Sequence, residues 1–145
     1  MRVSVSVGSA YYDGENWDEV VSYVVAADRL GVDTVWSAEA WGMEAVASLG
    51  YLAAKTERIR LGSGIMQISA RTPATTALTA LSLAQISGDR FSLGLGVSGP
   101  QVVEGMHGDA FAKPLSRLRE YIDIVRLGIS GERMVYDGDR YVLPR

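Results

Sequence analysis

The residues best suited to chemistry in this sequence stand directly after its short apolar runs. Glu39 follows one run, Gly62–Met66 ends a second, and Gly96–Gly99 ends a third. Parallel strands of α/β proteins place ligands at their carboxyl ends. These three positions are therefore where we expect a ligand to bind.

The segment Gly62–Met66 brings glycines to the end of an apolar run. Glycine has no Cβ, so a backbone built from it can approach a planar ring closely. A β-bulge or a tight turn without a ligand would use the same residues. The pattern allows either a ring-binding surface or an ordinary bend in a strand.

Ala38 and Glu39 follow the apolar run Val32–Ser37. A carboxylate at the carboxyl mouth of a parallel sheet is well placed for a polar contact or for proton transfer. The alternative is a solvated glutamate in a surface loop. Glu39 is our first candidate for a catalytic residue.

The string Gly96-Val97-Ser98-Gly99 offers backbone N–H groups and one hydroxyl in a glycine-rich loop. Such loops bind phosphate groups through their N–H donors. Short glycine loops without a ligand are also common in α/β folds. A phosphate site is thus one of two interpretations for these four residues.

His107 is the only histidine and the sequence contains no cysteine. A histidine side chain can change charge near neutral pH, which makes His107 a second catalytic candidate. It could equally be a surface or helix-capping residue. One histidine without cysteine cannot form a histidine cluster or a thiolate site, so we expect no metal.

Composition indicates an ordinary globular chain. The 145 residues are 48% hydrophobic and carry a formal net charge of −3. A chain of this length can bury a core of its own, so we predict a single domain over residues 1–145. Basic residues do not cluster and no apolar run approaches 18 residues, so we expect no nucleic acid or membrane partner and a cytoplasmic location.

Four apolar runs alternate with four segments of helical periodicity. Asn16 and Thr72 are suited to capping helices, and Gly31 and Gly88 to ending them. The predicted strands are about 2–7, 32–37, 59–66 and 91–96, and the predicted helices are roughly 17–30, Met43–Thr56, Pro73–Ser87 and Pro114–Leu127. We expect Ser9–Glu15 and Gly96–Ala112 to be loops, the first with Tyr11 and Tyr12 lining a pocket.

The end of the chain differs from these repeated units. Two alternating runs within residues 133–143 flank Asp137-Gly138, which is a strong hairpin signal. Four βα units before a hairpin are half of a (β/α)8 barrel, or a complete doubly wound sheet. Composition and periodicity leave both folds open.

The combined motifs resemble one family, the bacterial luciferase-like flavin and deazaflavin oxidoreductases. Ala26–Asp33 resembles the family's first helix and second strand, and Ala38–Gly42 resembles the loop of members that use the deazaflavin coenzyme F420. The order of the remaining motifs carries the resemblance further: Gly62-Ser63-Gly64-Ile65, Arg71-Thr72-Pro73, Ser87-Gly88-Asp89-Arg90 and Leu93-Gly94-Leu95-Gly96.

The resemblance implies a TIM-barrel-type (β/α)8 fold of roughly twice this length. This chain would supply the first four βα units, and the hairpin would be the insertion that follows them. We therefore expect these residues to be the N-terminal half of a longer chain.

The same resemblance implies hydride transfer between reduced F420 and an unidentified small organic substrate. An FMN-dependent monooxygenase is the nearest alternative. A second alternative is a non-catalytic half-barrel that dimerises or only binds cofactor. We also expect a homo-oligomer.

The family further implies a role for each candidate residue. A cis peptide between Gly64 and Ile65 would lie behind the cofactor ring, with Ala38, Glu39 and Ser63 close by. The loop Gly96, Val97, Ser98 and Gly99 would bind the phosphate tail. Some members carry a catalytic histidine where this chain has Ala40, which argues against a histidine-dependent sugar-phosphate dehydrogenase.

Overall fold

The computed structural model describes residues 1–7, 16–39 and 41–144. The predicted loop Ser9–Glu15, with its two tyrosines, and Ala40 lie outside these residues. The chain divides into two compact units, the first formed by residues 1–66 and 82–95 and the second by residues 67–81 and 96–145. The prediction of one domain stays a prediction, and each unit is described separately.

Helices and strands alternate along the chain as the sequence predicts, with shorter strands. In chain order the elements are β1 (Ser4–Ser6), α1 (Trp17–Arg29), β2 (Thr34–Ser37), α2 (Ala45–Lys55), β3 (Arg60–Ser63), β4 (Met66–Gln67), α3 (Pro73–Ser87), β5 (Phe91–Ser92), β6 (Leu95–Gly96), α4 (Pro100–Val103), α5 (Pro114–Ser130), β7 (Tyr136–Asp137) and β8 (Val142–Leu143).

The first unit contains a four-stranded sheet in the order β1-β2-β3-β5. All three neighbouring pairs are parallel. Strands that follow one another both in the chain and in the sheet are typical of a (β/α)8 barrel, whereas the strand order of a doubly wound sheet reverses direction. The sheet order therefore favours the barrel-type fold.

Side chains from the sheet and from helices α1 and α2 form the core of the first unit. Tight caps fix where the two helices begin. The Asn16 side chain accepts a hydrogen bond from the Asp18 N–H at 3.1 Å. Both carboxylate oxygens of Glu44 accept from N–H groups of the first turn of α2, which therefore begins two residues later than predicted. The core residues are Val7, Val20, Val24, Ala27, Val35, Ala45, Leu49, Leu52, Ala53, Ile59, Leu61, Met66 and Leu83.

The predicted continuous strands 59–66 and 91–96 are each interrupted, which corrects the sequence analysis. The Ser63 hydroxyl donates to the Gly94 carbonyl and accepts from the Gly94 N–H, both at 2.9 Å. A side chain thus takes the place of a main-chain partner in the ladder. Regular pairing resumes in β4 and β6, beside the Met66 N–H that donates to the Gly94 carbonyl at 2.9 Å.

Asp28, at the end of α1, fixes the turn into β3. Its buried carboxylate accepts hydrogen bonds from the N–H groups of Glu57, Arg58 and Ile59 at 2.9, 3.0 and 2.7 Å. Burial by itself would raise the pKa of Asp28, but these bonds and the Arg58 charge outweigh it and lower the pKa. The ionised carboxylate is therefore part of the folded structure.

The half-buried side chain of Arg90 makes a second connection within the first unit. Its guanidinium group donates to the carbonyls of Ala53, Thr56, Ile59 and Ser87 and to the Thr56 hydroxyl. All five distances lie between 2.6 and 3.1 Å. Only the planar fork of arginine presents five donors in this arrangement.

The second unit contains the start of α3, then α4, α5 and the hairpin. The predicted loop Gly96–Ala112 is wrong in one respect, because α4 lies within it. Pro100 opens α4, and the Gly99 carbonyl accepts from the N–H groups of Val102 and Val103 at 3.1 and 2.9 Å. Helix α5 extends three residues beyond its predicted end, and Gly131 stops it with a φ of 75°.

Tyr121 of α5 is fully buried in the second unit. Its hydroxyl lies 2.5 Å from the Thr76 hydroxyl and donates to the Arg71 carbonyl at 3.0 Å. Burial raises the pKa of Tyr121 to about 12. The phenol is thus neutral and joins α5 to the start of α3.

The predicted hairpin is confirmed, with short strands. Strands β7 and β8 pair antiparallel, Tyr136 opposite Leu143. The Glu120 carboxylate of α5 accepts from the N–H groups of Arg140 and Tyr141 at 3.0 and 3.1 Å. These bonds attach the hairpin loop to α5. Over the described ranges, no helix is both long and apolar enough to cross a membrane.

Replacing Asp28 by Asn is expected to lower the free energy of unfolding by about 3 kcal/mol, because an amide cannot accept from all three N–H donors. The folded pKa of Asp28 is lowered, so its contribution is present above about pH 4 and is lost as the pH falls below that value. Urea unfolding at several pH values measures both effects.

The exposed Asp89 supplies a matched control. Its backbone φ of 61° is one that asparagine also tolerates, so Asp89→Asn should leave the unfolding free energy nearly unchanged. Equal decreases of the unfolding free energy in Asp28→Asn and Asp89→Asn would contradict the role given to Asp28.

Candidate functional site

The first group of candidate residues lies in the first unit, where β2 and β3 end. The Ser37 carbonyl accepts from the Gly64 N–H at 2.8 Å, and the Glu39 N–H donates to the Ile65 carbonyl at 3.2 Å. Between these two bonds the Gly64–Ile65 peptide is cis. The cis bond implied by the resemblance is therefore confirmed, while its role behind a ring stays a prediction.

Glu39 is buried, with 6% of its surface exposed. Its Oε1 lies 3.5 Å from the N–H of Ala45, the first residue of α2. The carboxylate thus faces the positive end of a helix, where negative charge is stabilised. The alternative of a solvated loop glutamate is wrong, and Ala38 beside it is half-buried.

Ser63 is also buried, and its hydroxyl is engaged by the main chain of Gly94 on both its donor and its acceptor side. A Cβ on Gly94 would lie closer than 3.0 Å to the Ser63 carbonyl. Glycine is therefore required for this approach. Contact between Ser63 and a cofactor stays a prediction.

Sequence reasoning missed the position of Trp36, a half-buried residue of β2. Trp36 stands opposite Gly62 in the β2–β3 register. A Cβ on Gly62 would lie closer than 3.0 Å to its indole ring, and one on Gly64 would lie 3.5 Å from its Cβ. Trp36 therefore packs against the two glycines, which the local sequence could not show because the partners are 26 to 28 positions away.

The edge formed by Gly64 and Ile65 has room for a planar ring. Gly64 is exposed and Ile65 is half-buried, so the edge offers a main-chain surface without a side chain at Gly64. Main-chain bonds to Ser37 and Glu39 hold that surface in place. The Ser37 hydroxyl is buried and has no hydrogen-bond partner within the described ranges. A flat ring could therefore lie against Gly64 without displacing a side chain.

The second group of candidate residues, Gly96–Gly99, lies in the second unit. The Gly96 carbonyl accepts from the Ile68 N–H at 3.0 Å, and the Gly99 carbonyl caps α4. Ser98 has a φ of 58°, a left-handed conformation that few side chains other than Asn and Asp adopt easily. The N–H groups of residues 97–99 donate to no backbone group in the part of the chain that the structure describes. Three consecutive N–H donors suit a phosphate.

A small cavity with an interior volume of about 10 Å³ lies beside this loop. Ligand pockets usually measure about 300–1,000 Å³, so this cavity is too small for a cofactor. Arg117 contributes to its wall and pairs with Asp109 at 2.5 Å. Burial by itself would raise the pKa of Asp109, but the bonds to Arg117 and the nearby Arg140 lower it.

His107, the second catalytic candidate, is exposed and follows α4. Its Nε2 lies 2.7 Å from Nε2 of Gln67, a buried residue of β4. No local pattern could have paired residues 40 positions apart. Among the residues with described positions, no three acidic, histidine or cysteine side chains group as a metal site would require.

Comparisons with known proteins identify relatives of this chain. A model of the luciferase-like monooxygenase family matches residues 1–145. A Mycobacterium tuberculosis protein, provisionally assigned as a coenzyme F420-dependent oxidoreductase, is 47% identical over 99% of this chain and 41% of its own length. The 5,10-methylenetetrahydromethanopterin reductase of Archaeoglobus fulgidus is 36% identical over 83% of this chain and 36% of its own length.

A solved structure shares the fold. The oxygenating constituent of 3,6-diketocamphane monooxygenase from Pseudomonas putida, in complex with FMN, superimposes with a TM-score of 0.86 at 20% identity. The match covers 98% of this chain and 43% of that one. The chain thus spans less than half the length of these relatives, and its α/β fold corresponds to part of a luciferase-like TIM barrel.

Replacing Gly94 by Ala is expected to destabilise the protein by about 1–3 kcal/mol, because the new methyl group would overlap the Ser63 carbonyl, and a carbonyl cannot rotate away as a side chain can. Circular dichroism during urea unfolding measures the loss.

Gly50, inside α2, is the control because a Cβ there meets nothing within 4 Å. Gly50→Ala should stabilise the protein by about 0.5–1 kcal/mol, since alanine favours a helix. Similar effects in both variants would disprove the close approach at Gly94.

Proposed function

The chain belongs to the luciferase-like monooxygenase family, and from this premise we propose that the enzyme of which it forms part transfers a hydride between reduced coenzyme F420 and a small organic substrate. The 47% identical relative supports this choice of cofactor. When bound, the deazaflavin supplies the hydride chemistry, and the protein supplies binding, orientation and electrostatics.

The proposal rests mainly on the exposed main-chain edge that Gly64 and Ile65 form at the end of β3. Two main-chain bonds, to Ser37 and Glu39, hold this edge from the neighbouring strand end. We assign to it the contact with the face of the ring. Ser63, which precedes Gly64 in the chain, and Ala38, which lies between Ser37 and Glu39, belong to the same assignment.

We assign to Glu39 the role of general acid or base, which accepts or delivers a proton. Its carboxylate is buried and faces the first N–H of α2. A buried carboxylate held at one point can accept or deliver a proton without moving its backbone. His107 is the other catalytic candidate, and it acts through its ring nitrogens.

We assign the phosphate tail of the cofactor to the loop Gly96–Gly99. The N–H groups of Val97, Ser98 and Gly99 support this assignment, because backbone donors in a glycine loop bind phosphate without a charged side chain. FMN also carries a phosphate, so the loop alone does not choose between the two cofactors.

The second candidate function is an FMN-dependent monooxygenase, favoured by the fold shared with the FMN complex from Pseudomonas putida. A non-catalytic role remains the third candidate.

Helix α3 exposes two leucine side chains, Leu78 at 65% and Leu81 at 42%, which supports the proposal of a homo-oligomer. Sedimentation velocity tests that state, and cell fractionation tests the proposed cytoplasmic location.

Parallel titrations of the protein with F420 and with FMN, followed by absorbance, test the choice of cofactor. We expect F420 to bind at least about tenfold more tightly, which corresponds to about 1.4 kcal/mol. Tighter binding of FMN would overturn the proposal in favour of the monooxygenase. Failure to bind either cofactor would favour the non-catalytic half-barrel that dimerises.

Replacing Glu39 by Gln should lower the turnover of the F420-dependent reaction by about 10²–10⁴-fold, because an amide cannot accept the proton. F420 affinity should change little. The exposed Glu57 serves as the control, since Glu57→Gln makes the same change of charge away from this edge. Unchanged turnover in Glu39→Gln would remove Glu39 from the mechanism.

Two substitutions at Ser98 test the phosphate assignment. Asp and Asn both tolerate the left-handed backbone at this position, but only Asp adds a negative charge that repels phosphate. We expect Ser98→Asp to weaken F420 binding about tenfold or more, and Ser98→Asn to bind almost as the original protein does. A deazaflavin chromophore without the phosphate tail should bind both variants equally. Equal F420 binding by the two variants would contradict the assignment.

A further inference from the structure

Gln67 and His107 form a side-chain pair within the second unit. Their Nε2 atoms lie 2.7 Å apart. Gln67 is 1% exposed, while His107 is exposed. A buried amide therefore holds a histidine ring that is otherwise open to solvent.

The Gln67 amide has a defined direction. The Ser69 hydroxyl donates to the Gln67 Oε1 at 3.2 Å. An amide oxygen only accepts hydrogen bonds and an amide nitrogen only donates them. In the structure the amide oxygen therefore faces Ser69, and the NH₂ group faces His107.

This direction determines which nitrogen of the histidine ring carries the proton. The Gln67 NH₂ group can only donate, so Nε2 of His107 must accept. In a neutral imidazole one nitrogen accepts and the other carries the hydrogen. The ring proton is therefore on Nδ1.

We propose that Gln67 is a positioning residue that holds His107 in the Nδ1–H tautomer with Nε2 occupied. The inference rests on the proposed function, in which His107 meets the substrate. In this tautomer His107 offers the substrate a hydrogen-bond donor, which suits a group with an acceptor atom such as a carbonyl oxygen. His107 then polarises the substrate as a hydrogen-bond donor and does not act as a base.

Nuclear magnetic resonance of the ¹⁵N-labelled protein without cofactor tests the tautomer directly. His107 is the only histidine, so all ring signals belong to it, and the couplings to the two ring C–H protons distinguish Nδ1 from Nε2. The spectrum is recorded at alkaline pH, where imidazole rings are neutral. We expect Nδ1 at the position of a protonated nitrogen and Nε2 at that of an unprotonated one. The opposite pattern would overturn the proposal, and this result needs no variant.

Gln67→Glu provides a second test at nearly constant shape. A carboxylate only accepts hydrogen bonds, so the ring proton should move from Nδ1 to Nε2. The Nε2–H tautomer should therefore become the major form in Gln67→Glu. Retention of the Nδ1–H tautomer in a folded Gln67→Glu protein would overturn the proposal. Gln85→Glu, at an exposed position on α3, introduces the same charge and should leave the tautomer unchanged.

The result is separable from the proposed function because the spectra are recorded without cofactor. The expected tautomer in a protein that binds no F420 would support the pairing and remove only the cofactor proposal. The Nε2–H tautomer in a protein that binds F420 tightly would remove only the role given to Gln67.

Discussion

The guanidinium group of Arg90 satisfies the carbonyls at the end of α2 and at the start of β3 together. Four carbonyls and one hydroxyl accept from it. Asp28 complements it by accepting three N–H groups of the same turn. The cationic Arg90 thus donates hydrogen bonds to carbonyls of the α2–β3 connection, and the anionic Asp28 accepts hydrogen bonds from its N–H groups. Because buried main-chain groups are costly to leave unpaired, these two side chains determine where β3 begins.

From that fixed start, the end of β3 can depart from regular pairing. The Ser63 hydroxyl binds both main-chain groups of Gly94, and glycine at position 94 admits the approach. The chain then passes through the cis Gly64–Ile65 peptide. The resulting edge is main chain more than side chain. Such an edge suits an enzyme whose cofactor performs the chemistry, since binding and orientation are then the protein's main tasks.

The second unit adds groups of the same kind. The loop at Ser98 presents N–H groups, and Gln67 directs the ring of His107. In both cases a polar group is given a direction by main-chain or buried contacts. Ser98 and His107 could be predicted as candidates because a glycine-rich loop and a single histidine are recognisable in the sequence itself. It could not give the orientation of either, because φ at Ser98 and the partner of His107 depend on folded neighbours.

The sequence by itself determined the alternation of strands and helices and most helix ends. Helix α3 runs from Pro73 to Ser87 as predicted, because proline starts and glycine stops are local signals. Only the tertiary structure decided where the strands break, that Glu39 is buried, and that Gln67 meets His107. The Ser63–Gly94 and Gln67–His107 contacts join residues 31 and 40 positions apart. Periodicity and capping report only on neighbours within a few residues, so no local pattern could predict these contacts.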